Sequence, residues 1–213
     1  MKEIIVIDYG VGNIRSVVRG IEMCGYYPKL TSNKNDIIDA NKVILPGVGA
    51  FNDGMEGLRN RDLIKPICEF VNSGGLFLGI CLGMQMMMTK SYEFGEFHGL
   101  NLIEGEVLPF SKLINKEKFK IPHIGWNNIE CNSEKIWNQS ILKNLENNSD
   151  VYFIHSYYVK PKYSKNNIAT CNYGNLNFSA VIQNGNAYGC QFHPEKSGKN
   201  GLLILKTFCD KQA

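Results

Sequence analysis

Three short apolar runs, each leading into a glycine, constrain the fold of this chain more than any other feature. "EIIVID" (3–8) precedes "YG", "KVILPG" (42–47) closes on its own glycine, and "LFLGI" (76–80) is followed by "CLG". Apolar and β-branched residues occupy both parities of these runs, as in strands buried on both faces of a parallel sheet. Between the first two, Ile14, Val17, Val18 and Ile21 recur at helical spacing within Asn13–Cys24, and a second helical stretch over about 61–72 precedes the third. Strand–helix alternation of this kind predicts an α/β fold with an open, mostly parallel central sheet flanked by helices.

The character changes after about Leu100. "NLIEGEVLPF", "HIGWNNIEC", "VYFIHSYYV", "NIATCNY" and "FSAVIQNGNAYGCQF" each read as strand, the last folded at the turn "NGN", so additional antiparallel strands are expected. A closing helix over about 201–209 carries Leu202, Leu205 and Phe208. There is no linker-like segment and no repeat, and 213 residues suit a single domain spanning 1–213.

Charge and cysteine usage exclude several classes. The net charge of +3 is spread along the chain, and the densest basic stretch, "KLINKEKFK" (112–120), contains Glu117 and reads as a solvated loop, so no nucleic-acid partner is expected. Glu3 and Asp8 interrupt the first apolar run, which a secretory leader would not tolerate. No stretch approaches the roughly 20 apolar residues of a membrane helix. A soluble, cytoplasmic protein without a membrane partner is the expectation. The seven cysteines are odd in number, scattered, and form no C-x-x-C pair, which predicts neither a disulfide framework nor a metal site. Most should be inert core residues.

Cys81 is different. "GICLG" (79–83) repeats the spacing of the nucleophile elbow, G-x-S-x-G, at a strand-to-helix junction. A nucleophile in so sharp a turn needs neighbours without side chains two residues to either side, which Gly79 and Gly83 supply. The helix beginning beneath the sulfur favours thiolate, and the Leu82 N–H is the natural donor to an oxyanion. Gln85 falls one turn along, on the same face. "LPGVGAF" (45–51) ends another strand on the same sheet edge, where the flexible Val48–Gly49 backbone can turn an N–H toward the same oxyanion.

A cysteine nucleophile needs a base and an orienting group. Of four histidines, His98 lies in a turn-like context, while His123 and His155 border apolar strands, where a hydrogen-bonded core imidazole is the usual outcome. His193, in "QFHPEKS", stands two residues before Glu195. Pro194 biases His193 to extended geometry, in which i and i+2 share a face. His193 and Glu195 are therefore the best candidate pair, although nothing local brings them to Cys81. "YGVGNIR" (9–15) imitates a dinucleotide-binding loop, but Arg15 replaces the third glycine and no acidic residue ends the next strand, near "YPKLT".

"PGVGAF", "GICLGMQ" and "QFHPEKS", in this order, resemble the class I (triad) glutamine amidotransferases. "DYGVGNIRSV", "IPHIGWN" and "HSYYV" narrow the likeness to those members that serve imidazole glycerol phosphate synthases. The resemblance implies a Cys81–His193–Glu195 triad that hydrolyses glutamine without a cofactor. It places Gly49, Gln85, Glu93, Ser156 and Tyr157 around the substrate, with Glu93 balancing its ammonium group. It further implies a (β/α)8-barrel cyclase subunit as heterodimer partner, faced by Asn13 and Lys196, that receives the ammonia in histidine biosynthesis. Two alternatives stand beside this: a relative supplying a cyclase-like partner in surface-glycan sugar amination, and a non-catalytic partner subunit.

Overall fold

The computed structural model describes residues 3–10, 12–110 and 119–212. Most of the basic stretch read above as a solvated loop therefore lies outside the described residues.

The first half of the chain builds the parallel side of a nine-stranded sheet. Strands β1 (Glu3–Ile7), β2 (Tyr27–Thr31), β3 (Lys42–Leu45) and β4 (Leu76–Ile80) lie in the order β2-β1-β3-β4, all parallel. Helices α1 (Ile14–Met23), α2 (Lys34–Ile38), α3 (Phe51–Arg59) and α4 (Ile64–Asn72) connect them. The two parities of the apolar runs divide as a doubly covered sheet requires. Ile4, Val6, Leu76 and Leu78 enter one core, whereas Ile5, Ile7, Val43 and Phe77 enter the other.

After β4 come the short helix α5 (Leu82–Met86) and a four-stranded sheet in the order β10-β7-β5-β6, made of β5 (Met88–Ser91), β6 (Phe97–His98), β7 (Ile103–Pro109) and β10 (Tyr157–Pro161). The large sheet continues through β8 (His123–Cys131), followed by α6 (Glu134–Gln139), then β9 (Ser149–His155), β11 (Asn167–Tyr173), β12 (Leu176–Asn184) and β13 (Ala187–Cys190). Its antiparallel half has the order β13-β12-β11-β8-β9, and β13 joins it to β4 in parallel. Helix α7 (Gly198–Asp210) packs beside α1 and closes the chain.

"VYFIHSYYV" is not one strand. It breaks at Ser156: β9 pairs with β8 in the large sheet, and β10 pairs with β7 in the small one. Apolar residues run through both halves, so periodicity alone had no sign of the break. The change of sheet turns the Ser156–Tyr157 backbone toward the end of β4.

Candidate active site

Cys81 occupies the junction of β4 and α5 with φ 54° and ψ −107°, a left-handed conformation that a side chain adopts only at a cost. Its N–H donates to the Cys190 carbonyl at 2.8 Å, and its carbonyl accepts from the Gln85 N–H at 3.1 Å. The flanking glycines are required by space. A Cβ on Gly83 would lie 1.9 Å from the Leu45 carbonyl oxygen, and one on Gly79 would lie 2.7 Å from the Gly83 backbone. The elbow inferred from spacing is thus a tight backbone crossing of β4, α5 and the end of β3.

The imidazole arrives through sheet topology. Cys190 pairs with Ile80 across the β13–β4 ladder, so the chain leaving β13 runs beside the elbow. His193 is extended (φ −99°, ψ 96°), and Pro194–Lys196 then forms a 3-10 turn. The Glu195 carboxylate therefore reaches His193 by this turn, not along an extended i, i+2 face as the sequence suggested. Nδ1 of His193 lies 2.8 Å from Oε1 of Glu195, with both side chains almost wholly buried. Ser197 braces the turn: its hydroxyl donates to the His193 carbonyl at 2.7 Å and accepts from the Tyr152 N–H at 2.9 Å. Among the described residues, Nε2 of His193 is buried with no group at strict hydrogen-bonding geometry, and the imidazole interacts with the Cys81 sulfur. Burial alone would depress this imidazole, but the Cys81 sulfur and the Glu195 carboxylate outweigh it and lift the pKa to about 10.

A cavity of about 280 Å³ opens over Cys81 and is lined by every other expected oxyanion or substrate residue: Val48, Gly49, Leu82, Gln85, Glu93, Ser156 and Tyr157. Gln85 is buried there, its Nε2 donating to the Tyr157 carbonyl at 3.1 Å. Glu93 is buried too; its Oε2 accepts from the Phe51 N–H at 2.6 Å and so caps α3. Burial raises its pKa, against the lowering effect of that N–H. Leu82, the expected oxyanion donor, spends its N–H on a long 3.4 Å bond to the Gly47 carbonyl. Gly49 (φ +102°) follows in a conformation that favours glycine. Asn13 and Lys196 do not line the cavity. Asn13 accepts from the Ser16 hydroxyl at the start of α1, and Lys196 is exposed beside the 3-10 turn.

Several neighbours were not singled out from sequence. Ile154 offers its carbonyl 3.9 Å from Sγ of Cys81, and Gln191 places Nε2 3.7 Å from the same sulfur. Outside the cavity mouth, Trp126 (58% exposed), Ile124 (55%) and Ile154 (39%) form an apolar patch on the β8–β9 ribbon, where Ile124 and Ile154 are cross-strand partners. Ile124 and Trp126 share one parity of β8, and the buried His123 and Ile129 hold the other. Apolar residues on both faces of an edge ribbon were the available signal. His123 and His155 are core histidines, as expected. Their Nδ1 and Nε2 lie 3.1 Å apart, and His123 stacks on Tyr173 at 4.0 Å.

A cysteine on a strained strand-to-helix turn, with a buried imidazole–carboxylate pair at the end of the adjoining strand, defines the thiol-dependent hydrolase class. Comparison narrows the class. A family model described as glutamine amidotransferase class-I matches residues 5–211. The chain is 49% identical over 210 residues to an imidazole glycerol phosphate synthase subunit HisH 1 of Legionella pneumophila (strain Lens), covering 98% of this chain and 99% of that protein. It is 47% identical over 212 residues to a subunit HisH of Methanosarcina acetivorans, covering 99% of each. Among solved structures, PurLQS from Thermotoga maritima shares the fold, with a TM-score of 0.73 and 20% identity over 97% of this chain and 96% of that one. The chain belongs to the class I glutamine amidotransferase family, and within it to the imidazole glycerol phosphate synthase subunit HisH group.

Proposed function

We propose that this chain is the glutaminase subunit of an imidazole glycerol phosphate synthase, with Cys81, His193 and Glu195 as its triad. Sγ of Cys81 attacks the side-chain carboxamide carbon of glutamine, and its proton passes to Nε2 of His193. His193 returns that proton to the departing nitrogen, which leaves as ammonia, and a glutamyl thioester remains on Cys81. Water, deprotonated by His193, then adds to the thioester; glutamate departs and the thiol is restored. Glu195 accepts from Nδ1–H throughout, fixing the tautomer and balancing the imidazolium. The observation that carries this reading is the buried imidazole of His193, held at Nδ1 by Glu195 and interacting with the Cys81 sulfur.

The remaining roles follow the cavity. Glu93 balances the substrate ammonium, and backbone N–H groups near Ser156 and Tyr157 receive its carboxylate. Gln85 and Gly49 bound the carboxamide. The oxyanion is held by the Leu82 N–H once it leaves the Gly47 carbonyl, together with a donor from Val48–Gly49. The Ile124–Trp126–Ile154 patch is the docking face for a (β/α)8-barrel cyclase subunit. It begins at a cavity residue and extends toward the turn bearing Lys196, since Trp126 lies 3.8 Å from where a Cβ on Gly198 would stand. Ammonia released at Cys81 passes to that subunit for imidazole glycerol phosphate formation. In this reading residues 1–213 act as one amidotransferase domain in the cytoplasm.

Cys81→Ala tests the core of the reading. The variant should make no ammonia from glutamine, yet its complex with the cyclase subunit should still synthesise imidazole glycerol phosphate from added ammonium. Glutaminase activity surviving in that variant would sink the triad.

A further inference from the structure

Gln191 is fully buried one residue beyond β13, and neither its burial nor its partners are needed by the triad. Its amide belongs to a chain of hydrogen bonds whose directions are all forced. The chain starts at the Tyr157 carbonyl, which can only accept. Nδ1 of His155 approaches that oxygen to 2.8 Å and therefore carries a proton. Nε2 of neutral His155 then accepts from Nδ1 of His123 at 3.1 Å. Gln85 must likewise turn its Nε2 to the Tyr157 carbonyl, and the same nitrogen donates to Oε1 of Gln191 at 3.2 Å. With Oε1 committed, the only group Gln191 can present to Cys81 is its Nε2–H₂, which lies 3.7 Å from Sγ. Besides the His193 imidazole, the sulfur meets this donor and the accepting Ile154 carbonyl at 3.9 Å.

We infer that Gln191 is a dedicated hydrogen-bond donor to the nucleophile, locked in orientation by Gln85 and the Tyr157 carbonyl. Gln191 and His193 share a parity along the chain, while the intervening Phe192 turns into the core. The amide thus donates to the sulfur that the imidazole faces. A sulfur anion gains from such a donor, and a thiol gains far less. The contact therefore stabilises the negative charge that the sulfur carries as it attacks and aims its lone pairs. This inference rests on Cys81 being the nucleophile proposed above.

The test is alkylation of Cys81 by iodoacetamide in the full-length chain without glutamine, read site by site by mass spectrometry. Gln191→Glu keeps the volume and the acceptor for Gln85 but removes the donor; Gln191→Leu removes both. At pH 7.5 each should alkylate about tenfold more slowly, the scale of one hydrogen bond to a charged group. As the pH falls from 8 to 6, the rate of Gln191→Glu relative to wild type should climb, because the introduced carboxyl regains a proton to donate. Rates within twofold of wild type, or a ratio flat with pH, would overturn the inference. The wild-type fold supplies a check that does not depend on these variants. The side-chain amide proton resonances of Gln191 should shift in Cys81→Ala, and unmoved resonances would equally overturn it. Survival of glutaminase activity in Cys81→Ala would instead remove the functional reading and leave the alkylation result standing.

Discussion

Ile80 and Cys190 are partners in the parallel ladder between β4 and β13, and the N–H of Cys81 donates to the Cys190 carbonyl at 2.8 Å. This register sets the geometry of the proposed triad. The residue after Ile80 is the proposed nucleophile, and the residues just after Cys190 carry the groups that surround it. Cys190 is wholly buried, and burial pushes its thiol well above the ordinary range, so it packs as a small apolar residue and does not compete with Cys81.

Glu195→Gln preserves shape while allowing an amide N–H to face Nδ1 of His193. The imidazole would then place its proton on Nε2, the wrong side for a base. Glutaminase kcat should fall by about a hundredfold or more with KM little changed, as steady-state kinetics will show. A loss confined to KM would contradict the orienting role.

Glu93→Gln retains an oxygen for the Phe51 N–H and so keeps the α3 cap while removing the charge. KM for glutamine should rise about ten- to a hundredfold, with kcat less affected, matching one charged hydrogen bond. Thermal melting of the variant should stay close to that of wild type. A large drop in melting temperature would mean that Glu93 serves the helix and not the substrate.

Gly83→Ala sets a methyl 1.9 Å from the Leu45 carbonyl oxygen, where backbone and not a flexible side chain must yield. The expected cost is about 1–3 kcal/mol of stability, measured by urea unfolding. The elbow should distort as well, with glutaminase activity falling more steeply than stability.

Trp126→Glu alters a residue that the free chain leaves exposed. Its urea midpoint should match wild type, while affinity for the cyclase subunit, measured by calorimetry, should fall at least about tenfold, as at an aromatic interface anchor. Unchanged affinity would place the docking face elsewhere.

Acid should destabilise the fold through the His123–His155 pair. Burial lowers their pKa values from 6.5 to about 4 and about 3, respectively. Each therefore contributes fully above pH 6.5 and loses that contribution as pH falls toward 4, because the unfolded chain binds protons that the folded chain refuses. The slope is up to about 1.4 kcal/mol per pH unit for each histidine. His193 has the opposite sign: its raised pKa contributes below pH 6.5 and is lost as pH climbs toward 10. Urea midpoints at pH 7.5, 6 and 5 should fall in wild type, and fall less in His123→Gln. Equal slopes would mean that His123 titrates normally in the folded chain.

Local pattern carried much of this protein. Hydrophobic parity identified the buried parallel strands, and "HIGWNNIEC" and "NIATCNY" coincide with β8 and β11: β8 alternates between a core face and a wetter one, whereas β11 is a short run buried from Ile168 through Cys171. Glycine spacing located the elbow, since a sharp turn imposes its steric demand on immediate neighbours. The break at Ser156, the 3-10 turn that delivers Glu195, and the amide of Gln191 against Sγ of Cys81 had no such signature. Each depends on which strands pair across more than a hundred residues or on which sheet a segment joins. Those choices are made by the burial of whole faces against one another, a sum over distant contacts that a window of sequence does not contain.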